Sequence, residues 1–193
     1  MSLGSHTNAS RPAANTGWCG VVTKPECRAI NPNGLIPVID DDGFVLWESN
    51  AIVRYLASQY GYGEGTLSPF DARTRADADR WMDGQAVSFN PAIGPAFVQL
   101  VRTPVVQRDS VVVENACLEA EKRLAILDAH LASHAFAAGA AHTMATGDIP
   151  LGCSIDRGFK LPIARESHPY VERWYQALSA RAGAKQVVGL ALA

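Results

Sequence analysis

The chain has 193 residues and a mass of 20.6 kDa, of which 48% are hydrophobic and 19% charged, enough for one large domain or two small ones. This composition excludes a disordered chain, which combines low hydrophobicity with high net charge. Lys and Arg number 17 against 19 Asp and Glu, a formal net charge of −2, so no global field draws the chain to nucleic acid or an anionic membrane, and neither is expected as a partner.

The apolar runs are broken by charge, Pro or Gly well short of the ~20 residues that a membrane span requires. No basic segment precedes an apolar one at the start, so no secretory signal is expected. The four cysteines, Cys19, Cys27, Cys117 and Cys153, form no C-x-x-C pair and read as reduced thiols of a cytoplasmic protein.

In chain order, residues 1–17 are polar, without apolar periodicity, and are expected to form a poorly ordered arm. Residues 25–30 can form a short helix, capped by Thr23 and stopped by Asn31-Pro32-Asn33-Gly34. Residues 35–39 and 44–47 are β-rich, and Asp40-Asp41-Asp42-Gly43 between them is hairpin chemistry. A helix opens at Glu48-Ser49-Asn50, carries Ile52, Tyr55, Leu56 and Tyr60 at helical spacing, and stops at Gly61.

Residues 62–67 read as a linker, and everything beyond as helical. Ser68-Pro69-Phe70-Asp71 starts a helix, with Ser at the cap, that passes through Trp81 and Met82 to about Phe89. Pro91 and Pro95 are expected to bend or break it. A second long helix lines up Val113, Cys117, Ala120, Leu124, Leu127 and Leu131 as one apolar stripe. A third begins near Asp148 with Ile149, Leu151 and Ile155, and a fourth at Ser167-His168-Pro169 with Val171, Trp174 and Leu178. The expected organisation is an arm over 1–17, an α/β part over 18–62 and a helical bundle over 66–193.

Two short motifs carry candidate chemistry. Ile36-Pro37 places a proline in a β-rich run, where it removes a ladder donor. Such a proline is often cis, and its turn can aim the main chain of the preceding residue at a ligand. Glu48-Ser49 sets an acid and a hydroxyl at a strand-to-helix junction. There the hydroxyl and helix N-terminus suit a carboxylate, and the acid suits an ammonium group. Taken singly, an edge-strand proline and a plain helix cap account for these motifs equally well.

Together they are more specific. Asn31-Pro32-Asn33-Gly34-Leu35-Ile36-Pro37-Val38-Ile39, followed by Asp41-Asp42-Gly43-Phe44-Val45-Leu46-Trp47-Glu48-Ser49-Asn50-Ala51-Ile52-Val53-Arg54-Tyr55-Leu56, closely resembles the glutathione transferase family. Arg80-Trp81-Met82-Asp83, Gly147-Asp148-Ile149-Pro150-Leu151-Gly152 and Pro169-Tyr170-Val171-Glu172-Arg173-Trp174-Tyr175 resemble the helical domain of its bacterial, cytosolic members. The resemblance implies an α+β chain, with a thioredoxin-like N-terminal domain followed by an all-helical domain. It implies glutathione as co-substrate with no other cofactor, a small electrophile as second partner, and a homodimer. It further implies that Ile36, before the cis-proline Pro37, pairs its main chain with the cysteinyl part of glutathione, while Glu48 and Ser49 hold the γ-glutamyl end.

The chain also departs from the family pattern. The family's first strand–helix–strand precedes the region matching residues 23–30 and supplies the Tyr, Ser or Cys that activates the thiol. A βαβ unit takes ~30 residues or more, so an incomplete N-terminal domain and little or no transferase activity are expected. Asn8 or Ser10 would be the activating residue on a faint match of residues 3–10, against which stands a plain Ser/Thr-rich arm; no catalytic residue is assigned. Ala145 stands where the family places the Ser or Thr of a capping box with Asp148, a loss of ~0.5–2 kcal/mol unless Thr146 serves instead.

Other features read blandly. Cys19 and Cys27 are off the family's catalytic position, and Cys27 is expected to be packed. His130 and His134 have zinc-like i, i+4 spacing but no third ligand nearby, so a surface pair is expected and no metal. The glycines of residues 61–65 follow a helix, not a strand, and make no dinucleotide loop. Two functions compete: conjugation of glutathione to an electrophile, and a non-catalytic relative retained as a binding or scaffold module. A homodimer is expected to use Trp81, Met82 and the stripe over 113–131.

Overall fold

The computed structural model describes residues 22, 24–61, 67, 71–138, 143–188 and 190–192. The expected arm, Cys19, Asn8, Ser10, the Thr23 cap, most of the linker and Ser68-Pro69-Phe70 lie outside these residues. The chain forms two units, Met1–Ile52 and Val53–Ala193.

In the first unit, α1 (Pro25–Ile30) follows Lys24, which makes no side-chain cap bond. Pro25 suits the first helical turn because the N–H it lacks would have no helical partner there. Strands β1 (Val38–Asp41) and β2 (Phe44–Trp47) pair antiparallel, with Val38 opposite Trp47 and Asp41 opposite Phe44. The turn between them is the dipeptide Asp42-Gly43, whose φ values are 52° and 88°, the positive pair that a type I′ hairpin turn requires. Gly43 N–H also donates to Asp40 Oδ1 at 2.8 Å. The expected strand over 35–39 is shifted: it begins at Val38, because Pro37 has no N–H to give a ladder. Helix α2 (Ser49–Tyr60) follows β2 after one residue, continues past Ile52 into the second unit, and ends at Gly61, whose N–H reaches Ala57 O.

The second unit is helical. Helix α3 (Ala72–Gly84) is capped by Asp71, whose carboxylate accepts from Thr74 N–H at 2.8 Å. The prolines do not end the helical run. A π turn over Gln85–Phe89 leads into α4 (Asn90–Phe97), which contains Pro91 and Pro95, and a second π turn runs over Val98–Arg102. Pro91 would clash with the carbonyl four residues back, and that carbonyl belongs to Val87, inside the widened turn. Gln85 is buried there, donating through Nε2 to Ser154 Oγ at 2.7 Å, and Ser154 in turn donates to Asn90 Oδ1 at 2.8 Å.

Helix α5 (Ser110–Leu131) is capped by Asp109, which accepts from Val111 N–H at 2.9 Å. Its stripe faces inward: Ala120, Leu124, Leu127 and Leu131 are buried, and Val113 and Cys117 half-buried. They pack with Phe89 and Ile93, with Leu151 and Ile155 of α6 (Asp148–Lys160), and with Val171, Trp174 and Leu178 of α7 (Pro169–Ser179). Each such side chain contributes ~1.5–3 kcal/mol on burial. A short α8 (Ala182–Lys185) follows.

Asp148 sits inside this core at 0% exposure. Its carboxylate accepts from Ala137 N–H at 2.7 Å, Trp174 Nε1–H at 2.8 Å and Ala145 N–H at 3.0 Å. The last bond is the reaching-back half of a capping box. Thr146 does not restore the other half: the N-terminus of α6 has no side-chain cap bond, and Thr146 N–H is turned to Leu67 O. Beside it, Gly147 is packed so closely that a Cβ would lie 2.5 Å from Ala78 O.

Candidate functional site

The hairpin register brings the two candidate motifs to one place. Val38 is opposite Trp47, Ile36-Pro37 immediately precedes Val38, and Glu48-Ser49 immediately follows Trp47. Both motifs therefore emerge at the same end of the two strands, away from the Asp42-Gly43 turn. The Ile36–Pro37 peptide is cis. Ile36 is 79% exposed, and among the described residues its main chain makes no hydrogen bond.

Glu48 is the only residue between β2 and α2, and it adopts φ 73°. A non-glycine residue in this left-handed region costs ~1–2 kcal/mol, a cost that recurs at ligand-binding positions. Glu48 O accepts from Ile52 N–H at 2.9 Å, so the first turn of α2 starts at Ser49. The N-terminal end of a helix favours a negative charge, and the Ser49 hydroxyl adds a donor to it. Glu48 and Ser49 are both exposed. The arrangement offers an anion-favouring helix end with a hydroxyl, a carboxylate one residue away, and, across the ladder, the Ile36 main chain, which is without a hydrogen bond among the described residues.

The loop leading into this end is organised by Asn31, which the sequence offers as part of a helix stop and as the first residue of the family-like motif, with no role of its own. Asn31 is 3% exposed. Its Nδ2 donates to Leu35 O at 2.8 Å, and its Oδ1 accepts from Asn33 N–H at 3.0 Å. Its main chain donates to Cys27 O and accepts from Gly34 N–H, each at 2.9 Å. The signal lay in the residue type, since an asparagine at the head of a Pro/Gly-containing turn can bond the backbone two residues on.

The other candidates fall elsewhere. Cys27 is half-buried. His130 and His134 are not a loose surface pair: their rings stack at 4.1 Å, and the His130 ring lies 4.7 Å from that of Trp81. His130 Nε2 is 3.1 Å from Ala137 O and His134 Nδ1 2.9 Å from His130 O, so carbonyls occupy one nitrogen of each ring. Burial, and then the neighbouring His134, push the His130 pKa down. Among the described residues no group of three or more His, Cys, Asp or Glu could hold a metal. Trp81 and Met82 are not offered to a partner either: Met82 is 0% exposed and Trp81 packs against the core of its own helical unit.

The family model described as the glutathione S-transferase N-terminal domain matches residues 13–59. Glutathione S-transferase GstB of Escherichia coli K12 is 38% identical over 162 residues, 83% of this chain and 76% of GstB. Elongation factor 1-gamma 2 of Oryza sativa is 31% identical over 180 residues, 88% of this chain but 40% of that protein. Among solved structures, the theta class glutathione S-transferase of Xanthomonas axonopodis pv. citri with glutathione bound is 40% identical. It superposes with a TM-score of 0.85, covering 92% of this chain and 84% of that one. The small hairpin-containing part is thus of thioredoxin-like type and is followed by the helical domain typical of such proteins. No described helix is long and apolar enough to cross a membrane. With this identity maintained over most of both chains, the protein belongs to the glutathione S-transferase family.

Proposed function

We propose that the chain binds glutathione at the open end of the hairpin and conjugates its thiol to a small electrophile. The observation that carries this reading is the register that sets Ile36-Pro37 beside Glu48-Ser49. The γ-glutamyl end of glutathione is a zwitterion. Its carboxylate suits Ser49 and the start of α2, and its ammonium suits Glu48. The cysteinyl amide suits the exposed main chain of Ile36, as an extended peptide does when added to a sheet edge. Glutathione bound to the Xanthomonas relative supports the ligand. Conjugation then needs a donor that lowers the thiol pKa so that thiolate attacks the electrophile.

The match to a relative named as an elongation factor favours a second reading, a glutathione-binding module without turnover. Calorimetry with glutathione, run beside a conjugation assay with a generic aryl halide, separates the two. Binding with turnover supports the transferase, binding without turnover the module, and absence of binding overturns both. Ser49→Ala should weaken glutathione binding by ~1–3 kcal/mol by leaving a charged group underpaired, and unchanged affinity would move the site elsewhere.

We also place the chain in the cytoplasm as a twofold homodimer, the commonest symmetric assembly. Val111, Leu118 and Ile126 of α5, 58–62% exposed, fall on one outer helix face and supply apolar surface for pairing. A monomeric mass by light scattering at micromolar concentration would overturn the dimer.

A further inference from the structure

We propose that Asn31 is the positioning residue that presents the Ile36 main chain to glutathione; this rests on the binding reading above. The stretch from Asn31 to Pro37 leaves a helix, crosses the surface and enters a strand. Asn33, Leu35, Ile36 and Pro37 are exposed, and Leu35 is 56% so, so side-chain packing does not fix the path. Hydrogen bonds do, and they converge on Asn31: Asn33 N–H and Leu35 O on its side chain, Gly34 N–H on its carbonyl. The next main-chain anchor is the pairing of Val38 with Trp47. Ile36 is therefore suspended between two fixed points, the Nδ2–Leu35 O bond on one side and the ladder on the other.

Both atoms of the Asn31 amide are needed, one as acceptor and one as donor. Aspartate has the same shape and can still accept from Asn33, but it cannot donate to Leu35 O and sets a carboxylate oxygen against it. The buried amide thus acts on the ligand without touching it, through the carbonyl one residue before Ile36. Gly34 supports the path with φ 63°, and a Cβ there would meet Val22 O at 3.2 Å.

The test compares wild type with Asn31→Asp in glutathione calorimetry, normalised to the folded fraction from circular dichroism, with amide resonances recorded without ligand. The expected result is about tenfold weaker binding by the folded variant, with resonance shifts centred on Leu35 and Ile36 rather than on residues 39–46. A residue that only supported the fold would lower the melting temperature and leave the affinity of the folded fraction unchanged. That outcome overturns the role of Asn31 while leaving the binding reading intact. Failure of the wild type to bind glutathione overturns that reading, and the role with it. Should Asn31→Asp not fold, Asn31→Ser, which also loses the donor to Leu35, is held to the same affinity criterion.

Discussion

Replacing Asp148 with alanine removes the acceptor from three buried donors at once, the N–H groups of Ala137 and Ala145 and the indole N–H of Trp174. An unmet buried donor costs ~1–3 kcal/mol. The three share one site, so their costs do not simply add, and removal of a carboxylate that burial disfavours offsets part of the loss. The expected net destabilisation is about 3–5 kcal/mol, a large share of the ~5–15 kcal/mol of a typical domain. Asparagine, of the same shape, can keep its oxygen toward Ala137 and Trp174 but turns its amide group on Ala145 N–H, so Asp148→Asn should cost less, about 1–3 kcal/mol.

Urea unfolding followed by tryptophan fluorescence measures both. An alanine variant within about 1 kcal/mol of wild type, against the range expected for one unmet donor, would refute the account. Equal losses for alanine and asparagine would refute it too. The same carboxyl sets a pH signature. Burial lifts its pKa above the ordinary 3.8, against the lowering pull of the Ala145, Trp174, Ala137 and Ala138 donors. The folded chain then holds this proton more tightly than the unfolded one. The stabilisation from this group is whole below 3.8 and is lost as pH rises through the folded value. Relative to Asp148→Asn, wild type should lose stability upward across that window.

Gly147→Ala places a methyl 2.5 Å from Ala78 O and 3.0 Å from Ala138 Cβ and should cost ~1–3 kcal/mol by overpacking; an unchanged thermal midpoint would show that the backbone yields freely. Ala145→Ser should gain ~0.5–2 kcal/mol by giving α6 the missing half of its capping box. The gain is visible as a raised urea midpoint, and an unchanged midpoint would refute it. Amides of β1 and β2, a ladder of four residue pairs, should exchange with deuterium faster than those in the buried half of α5. Uniform protection would contradict the contrast in packing.

Elements written in local chemistry were legible from the sequence. Gly43 in the hairpin turn and Gly61 ending α2 each follow from one residue's backbone freedom, and the α5 stripe follows from helical period. What failed depended on partners remote in sequence. The run through Pro91 and Pro95 relies on π turns, one of them tied through Gln85 to Ser154, 69 positions away. Trp81 and Met82 read as spare apolar surface until α5 and α6 closed over the core. At the site, Ile36, Pro37, Glu48 and Ser49 were legible as a motif, whereas Asn31 was not, since its importance lies in which carbonyl its amide reaches.

The hairpin also makes the site unequally tolerant of changes in chain length. An extra residue at Asp42-Gly43 lengthens only the distal loop, and the pairing of Val38 with Trp47 still delivers both motifs side by side. An extra residue within either strand slides Ile36 past Glu48 by ~3.3 Å and turns every later side chain to the opposite face. Insertions and fused reporters should therefore survive at the turn and, a few positions away, pull the two motifs out of register. The arithmetic of the strands, as much as the identity of the residues at their ends, is what heredity must preserve.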